Sequence, residues 1–318
     1  MADRRDAPAG AGGTRGRFIR RVLAGTVLLA LLVSVPVNAY ETKTRVLFRD
    51  GQILITEQDV GNQAFHYQWV ENDARRHGDD GLTLYYRIDL TELPPGVSAA
   101  KTEAAIEAAV ATFEGQKCGR TLDLVRVDAD PGMDFGFVQH AVGMGGAATP
   151  RADITFAGWL PASFMAAAGV PGSFGVALPA AWQTDGSLAW GLEVWDPDRS
   201  FTDVNRDRKH DLFATEIYFN RDWNYVTDDK ELADTLFYID VQTIATHELG
   251  HALGMGHFGR STVILDVNGQ FVDLYVNPHS ASLMNTSSFY QKRDLSGSDV
   301  ASFCQLYANW GKAPAGTG

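Results

Sequence analysis

His247-Glu248-Leu249-Gly250-His251-Ala252-Leu253-Gly254-Met255-Gly256-His257 decides how the rest of this 318-residue chain is read. On an α-helix, residues four apart project from one face a turn apart, so His247 and His251 can grip a single ion. Val241, Ile244, Ala245, Leu249 and Ala252 supply an apolar stripe by which such a helix packs. His257 would lie about 9 Å further along a continuous helix, too far to share a bond of ~2.0–2.1 Å. The chain must break first, and Gly254 is placed to break it, because glycine enters the left-handed conformation without a Cβ penalty. Three neutral imidazoles leave a zinc ion an open position for water, whose pKa falls to near 7 beside the ion. Glu248, next to the ligands without being needed as one, can take the proton and pass it to a leaving amine. These are the parts of metal-assisted amide hydrolysis. The competing reading, a solvated helix face with chance histidines, leaves the third histidine and its glycine unexplained.

The motif helix is expected from about Thr235 to Gly254. Upstream, Leu82, Leu84, Tyr86, Ile88 and Leu90 alternate with other residues at the period of a strand. Pro94-Pro95-Gly96 ends it, and Ala105, Ile106, Ala109, Val110 and Phe113 predict a helix over 102–116. Further strands are expected at Leu122–Val127, Asp153–Ala157, Leu188–Trp195 and Glu216–Phe219. The Gly/Ala/Pro-rich residues 141–150 and 166–181 read as long surface loops. A last helix over Gly297–Ala308 has Ser296 and Asp299 as a capping pair. This order of elements predicts one α/β domain with a cleft beside the motif helix.

Residues 1–39 read as a signal peptide. Arg15, Arg17, Arg20 and Arg21 precede the apolar run from Val22 to Val35, and Val37-Asn38-Ala39 offers small residues for cleavage. That run makes about 21 Å of helix against a bilayer core of roughly 30 Å, which favours a cleaved leader over a signal anchor. The expected destination is the extracellular space or the periplasm. Residues 40–81 form a short N-terminal segment with a hairpin around Asp50-Gly51, 82–310 the main domain, and 311–318 a flexible tail. Beyond residue 39 the chain carries 21 basic and 37 acidic side chains, a balance that argues against nucleic acid or anionic membrane as a partner. A monomer is expected. Cys118 and Cys304 are an even pair in an oxidising compartment, which suggests one disulfide; two buried thiols are the alternative.

The pattern His-Glu-x-x-His-x-x-Gly-x-x-His, followed by Ser282-Leu283-Met284-Asn285, resembles the metzincin clan of zinc peptidases with its methionine turn. The resemblance makes Met284 an apolar floor beneath the zinc. Within the clan, residues 82–307 are most similar to a matrixin catalytic domain. Leu84-Tyr85-Tyr86-Arg87-Ile88 resembles its opening strand and Ala152-Asp153-Ile154-Thr155-Phe156 its third. Gly186-Ser187-Leu188-Ala189-Trp190 resembles the edge strand, and Glu216 to Trp223 the strand after it. The likeness implies a mixed five-stranded twisted sheet with one antiparallel edge strand, and active-site and C-terminal helices flanking a cleft. It further implies a zinc endopeptidase of proteins or peptides, with the backbone of Ala189, Trp190, Gly191 and Leu192 pairing with substrate. Trp190 and Tyr218 stand where matrixins carry histidines for a second zinc, so one zinc is expected. The interval from His257 to Met284 is longer than in matrixins, with a hairpin turning at Asn268-Gly269.

Asp203, Asn205, Asp207 and Asp211 place oxygen side chains at alternate positions, like the start of a calcium loop. Arg208 stands where such loops want Gly, and Ala214 where they want Glu, so a solvated acidic loop explains the pattern equally well. Two other functions would use the motif: a silent zinc-stabilised binding module, and a zinc amidase on a non-protein substrate. Silent relatives generally lose the base or a ligand, and this chain keeps both.

Overall fold

The computed structural model describes residues 45–49, 52–58, 67–77, 81–118, 122–127, 136–168, 170, 172–196, 198–227, 238–266, 271–278, 282–285, 291–308 and 310. For 45–49, 52–58, 192, 195, 259–266 and 271–278 it describes the backbone alone. The expected leader, the C-terminal tail and the two turns at Asp50-Gly51 and Asn268-Gly269 lie outside the described residues.

The strands are β1 (Arg45–Arg49), β2 (Gln52–Gln58), β3 (Tyr67–Gln68), β4 (Leu84–Ile88), β5 (Leu124–Arg126), β6 (Ile154–Leu160), β7 (Gly175–Trp182), β8 (Leu188–Trp190), β9 (His210–Asn220), β10 (Tyr225–Val226), β11 (Ile239–Asp240), β12 (Gly259–Asp266) and β13 (Phe271–Pro278). The helices are α1 (Ala99–Glu114), α2 (Phe137–Ala141), α3 (Ala162–Ala167), α4 (Val241–Ala252) and α5 (Gly297–Tyr307). The class is mixed α/β, as expected.

The main sheet runs β5-β4-β6-β9-β7-β8, with β3 beside the start of β9. Strands β5, β4, β6 and β9 are parallel, while β7 is antiparallel to both β9 and β8. This corrects the expectation of five strands with one antiparallel edge: among the described residues the sheet has seven strands, and antiparallel pairing spans two interfaces. All seven residues of β6 are buried, as a central parallel strand covered on both faces requires. On one face α1, α4 and α5 share a core in which all five residues of the α1 stripe are buried. Phe113 of α1 meets Phe303 of α5 edge-on at 5.3 Å. Burying one such side chain contributes roughly 1.5–3 kcal/mol.

Helix boundaries follow local chemistry. Ser98 caps α1. Ser296 and Asp299 form the expected capping box of α5. The motif helix starts at Val241, not near Thr235, because Ile239 and Asp240 pair with Tyr225 and Val226 as short parallel strands. Asp240 then caps α4, accepting from Thr243 N at 2.9 Å, and Arg293 pairs with its carboxylate at 2.7 Å.

Two other expectations fail. The stretch 166–181, read as loop, holds strand β7. Its small residues were mistaken for loop composition; they are what lets a helix pack against the strand. Pro179 is tolerated because β8 pairs only with Ala180, Ala181 and Trp182, and proline suits a strand edge. Conversely, the strand expected over Leu188–Trp195 stops at Trp190, and Gly191–Trp195 forms a 3-10 turn.

The N-terminal segment is divided between two sheets. Tyr67 and Trp69 are fully buried in the main core. Strands β1 and β2 instead join β12 and β13 in a separate antiparallel sheet ordered β1-β2-β12-β13. The long interval after His257 therefore contributes two strands that pair with the N-terminal ones through β2 and β12. Cys118, beyond the end of α1, is disulfide-bonded to Cys304 of α5, with Cα atoms 4.7 Å apart. Among the described residues no helix is long and apolar enough to cross a membrane.

Candidate metal centre

Helix α4 ends at a Schellman turn. Gly254 adopts φ +86°, its N–H donates to His251 O at 2.8 Å, and Met255 N donates to Gly250 O at 2.9 Å. A Cβ on Gly254 would lie 3.0 Å from Tyr67 O, so both conformation and space call for glycine. Three aromatic donors from elsewhere satisfy the last carbonyls: Tyr67 Oη bonds His251 O, Trp69 Nε1 bonds Ala252 O, and Tyr307 Oη bonds Leu253 O. The break returns the chain so that His257 faces the other two histidines.

The three Nε2 atoms lie 3.0 Å (His247–His257), 3.1 Å (His247–His251) and 2.9 Å (His251–His257) apart. His247 Nδ1 donates to Leu283 O and His251 Nδ1 to Met255 O, each at 2.9 Å. A carbonyl oxygen can only accept, so Nδ1 carries the proton and Nε2 turns a lone pair inward. Lone pairs that converge in a buried site repel one another unless a cation lies among them. The donor set therefore fits a metal ion, and among the described residues it is the one such cluster of His, Cys, Asp or Glu. Burial, then the neighbouring imidazole of His247, lowers the pKa of His251 to about 3; burial also lowers His247 and His257. All three are thus held neutral, the form that binds metal.

Glu248 is 6% exposed and points between α4 and β7. Burial pushes its carboxyl up to about 8, opposed by a hydrogen bond from the Ala177 backbone. A dication nearby would favour the carboxylate again. Gly175 makes the room: a Cβ there would sit 2.9 Å from both Glu248 Cγ and Ile244 Cγ2.

Met284 is fully buried beneath the histidines, where a Cβ on Gly250 would meet its Sδ at 2.4 Å. Asp299 fixes this turn. Its carboxylate accepts from Leu283 N (2.7 Å), Met284 N (3.2 Å) and the Ser282 hydroxyl, while also capping α5 through Ser296 N. Phe258 N donates to Met284 O, tying the segment after the third histidine to the same turn.

The structure brings His247, His251 and His257 together and sets Met284 against Gly250 of the same helix. Ala189 and Trp190 lie in β8, which pairs with the Ala180–Trp182 end of β7, beyond the Gly175 and Ala177 that touch Glu248, with Gly191 and Leu192 already in the 3-10 turn. The strand beside Glu248 is β7. Trp190 stacks on Phe137 at 4.9 Å, and the Tyr218 hydroxyl donates to Glu216 at 2.7 Å.

Asp203, Asn205 and Asp207 close a tight loop through backbone amides, and Asp211 stands apart from it. Asp203 accepts from the amides of Asp207 and Arg208, Asn205 from Asp207 N, and Asp207 from Lys209 N. Asp211 is buried apart from them, bonded to Thr202 Oγ1 and paired with Arg75 at 2.8 Å. These side chains serve turns and an ion pair.

Sequence reasoning missed Gly175, Gly250, the three aromatic donors and the bonds of Asp299 to the turn at Met284. Gly250 alone left a signal, since glycine inside a helix costs roughly 1 kcal/mol against alanine and wants a reason. No protein-family model matches the chain, and no curated protein matches its sequence.

Proposed function

We propose that the chain is an exported zinc-dependent endopeptidase of the metzincin type, resembling a matrixin catalytic domain, that acts on extracellular or periplasmic proteins. One observation carries this reading: three inward-facing imidazole lone pairs share a buried point, and the helix that bears two of them also bears a carboxylate between them. The donor set of three neutral nitrogens suits Zn²⁺. Bound there, the ion would supply Lewis acidity, acidifying a water and polarising the scissile carbonyl.

The chain's own residues divide the remaining work. His247, His251 and His257 would hold the ion, with two rings oriented by the carbonyls of Leu283 and Met255. Glu248 takes a proton from the attacking water and delivers it to the leaving amine. Its buried position excludes bulk solvent from that transfer. Met284 and Asp299 position the floor and do not touch the reacting atoms.

An extended peptide can be held by strand addition. The edge that suits is β7 at Gly175–Pro179, which pairs with β9 on one side and, among the described residues, with no strand on the other. Substrate pairing is accordingly moved from Ala189–Leu192 to this edge. The disulfide agrees with an oxidising compartment.

The test is casein cleavage by zinc-loaded protein from the full chain, comparing wild type with Glu248→Ala at equal zinc content. Activity in the wild type alone is expected. Equal activity in both, or none in either, would overturn the proposal.

A further inference from the structure

Residues alternate between the two faces of a strand. In β7, Gly175 and Ala177 turn toward α4, so Val176 and Leu178 turn away from it. They join Tyr218, Phe164 and Met165 in a second apolar cluster on the opposite face. Over this cluster lies a cavity of about 360 Å³ between α2, α3 and the junction of β7 with β8. Its lining includes Val138, Met144, Phe164, Leu178 and Trp190, and is apolar apart from Ser163 and Glu193. Val142 and Met144 leave it open at the surface, at 55% and 37% exposure.

The wall is built to last. The buried Glu216 carboxylate accepts from Phe137 N at 2.6 Å and Val138 N at 2.8 Å, pinning the start of α2 to β9. The Tyr218 hydroxyl, which donates to Glu216, accepts from Gln139 N at 3.1 Å. Charge-assisted bonds of this kind are the stronger ones. A five-residue helix is thus held rigidly over an apolar hole.

Position says what would fill it. Strand β8 pairs with β7 only as far as Ala180 opposite Trp190. A peptide added along Gly175–Pro179 lies on the same flank, end to end with β8, and Leu178 belongs both to that edge and to the cavity wall. At ~3.4 Å per residue, Leu178 is one to three residues from the stretch that touches Glu248. The volume lies in the range of roughly 300–1,000 Å³ typical of ligand pockets, ample for one bulky side chain.

We propose that this cavity is a specificity subsite, taking one large aliphatic or aromatic side chain of an extended peptide, two or three residues from the bond that is cut. The proposal rests on the peptidase reading, and its test separates the two. Zinc-loaded full-chain protein is given a randomised peptide library, and the products are read by mass spectrometry. Selection of Phe, Leu or Met is expected at one position two or three residues from the cut. The preference for Phe over Ala there, as a ratio of kcat/KM, should fall at least tenfold in Ala167→Trp and Val142→Glu, which plug or charge the rim. An unchanged ratio in both would overturn the subsite.

A second readout needs no cleavage. In zinc-loaded Glu248→Ala protein carrying ¹³C-methyl methionine, the Met144 signal should shift with the Phe-containing peptide and not with its Ala counterpart. If no peptide is cut by wild type yet Met144 shifts, the peptidase reading and the specificity role fall together, and only the cavity's capture of a peptide side chain stands. If peptides are cut without selection and Met144 is unmoved, the subsite falls and the peptidase stands. Neither signal would overturn both.

Discussion

Gly250 sits inside α4 between His247 and His251, where local propensity would prefer alanine by roughly 1 kcal/mol. The Met284 sulfur occupies the space an alanine methyl would need. Overpacking of a buried contact typically costs roughly 1–3 kcal/mol. Gly250→Ala should therefore lower stability in urea unfolding and weaken zinc in a competition titration; a gain in stability with unchanged zinc affinity would refute the close contact. The histidines set a pH dependence of their own. Burial depresses the pKa values of His247, His251, His257 and His77 in the folded protein. Below the ordinary value of ~6.5 the unfolded chain takes up protons that the folded one refuses, so protonation favours unfolding. The Tm of metal-free protein is expected to fall as pH drops from 7 to 5, by calorimetry. A flat or rising Tm would contradict buried neutral imidazoles.

At the scale of elements, the site is a joint between α4 and the turn that carries Met284. Asp299 belongs to neither, yet its carboxylate accepts from both amides of the turn while capping α5. The same turn offers Leu283 O to His247, so loosening Asp299 should be felt at the metal. Leaving buried amides unpaired costs about 1–3 kcal/mol. Asp299→Ala is expected to lose about that much in denaturant titration and to bind zinc at least tenfold more weakly. Lost stability with unchanged zinc affinity would show that α5 capping is its whole role. Helix α4 also draws on distant donors, since Trp69 and Tyr307 bond the carbonyls of Ala252 and Leu253, and Tyr67 adds a second bond to His251 O beside that from Gly254 N.

Across the whole molecule, the Cys118–Cys304 bond closes a loop with a sequence separation of 186 that contains the entire candidate site. Constraining so long a loop removes much unfolded-state entropy, and losing a native disulfide typically costs about 2–5 kcal/mol. The Cys118→Ser, Cys304→Ser double variant should unfold correspondingly earlier in guanidinium. An unchanged midpoint would mean that the bond constrains nothing the metal-loaded fold does not. Metal loading acts at the same scale: zinc at about 1,000 times its Kd adds about 4.1 kcal/mol if only the folded chain binds. A chelator should accordingly lower Tm by several degrees, and re-addition of zinc should restore it.

The sequence by itself determined the features that depend on neighbours along the chain. The four-residue spacing of His247 and His251, the break at Gly254, the α1 stripe and the Ser296–Asp299 cap all follow from helix geometry and local hydrogen bonding. Strand β4 was legible for the same reason, through its alternation. Only the tertiary structure decided what depends on contacts between distant segments. Strand β7 has no apolar alternation to betray it, because its Gly and Ala are selected by the approach of α4. Strand β8 was overextended because nothing local marks where Gly191 turns away. The pairing of β2 with β12, the aromatic donors at the end of α4, and the cavity beneath α2 join residues scores of positions apart. Their physical causes are packing and unsatisfied backbone groups, which exist only once the chain has folded.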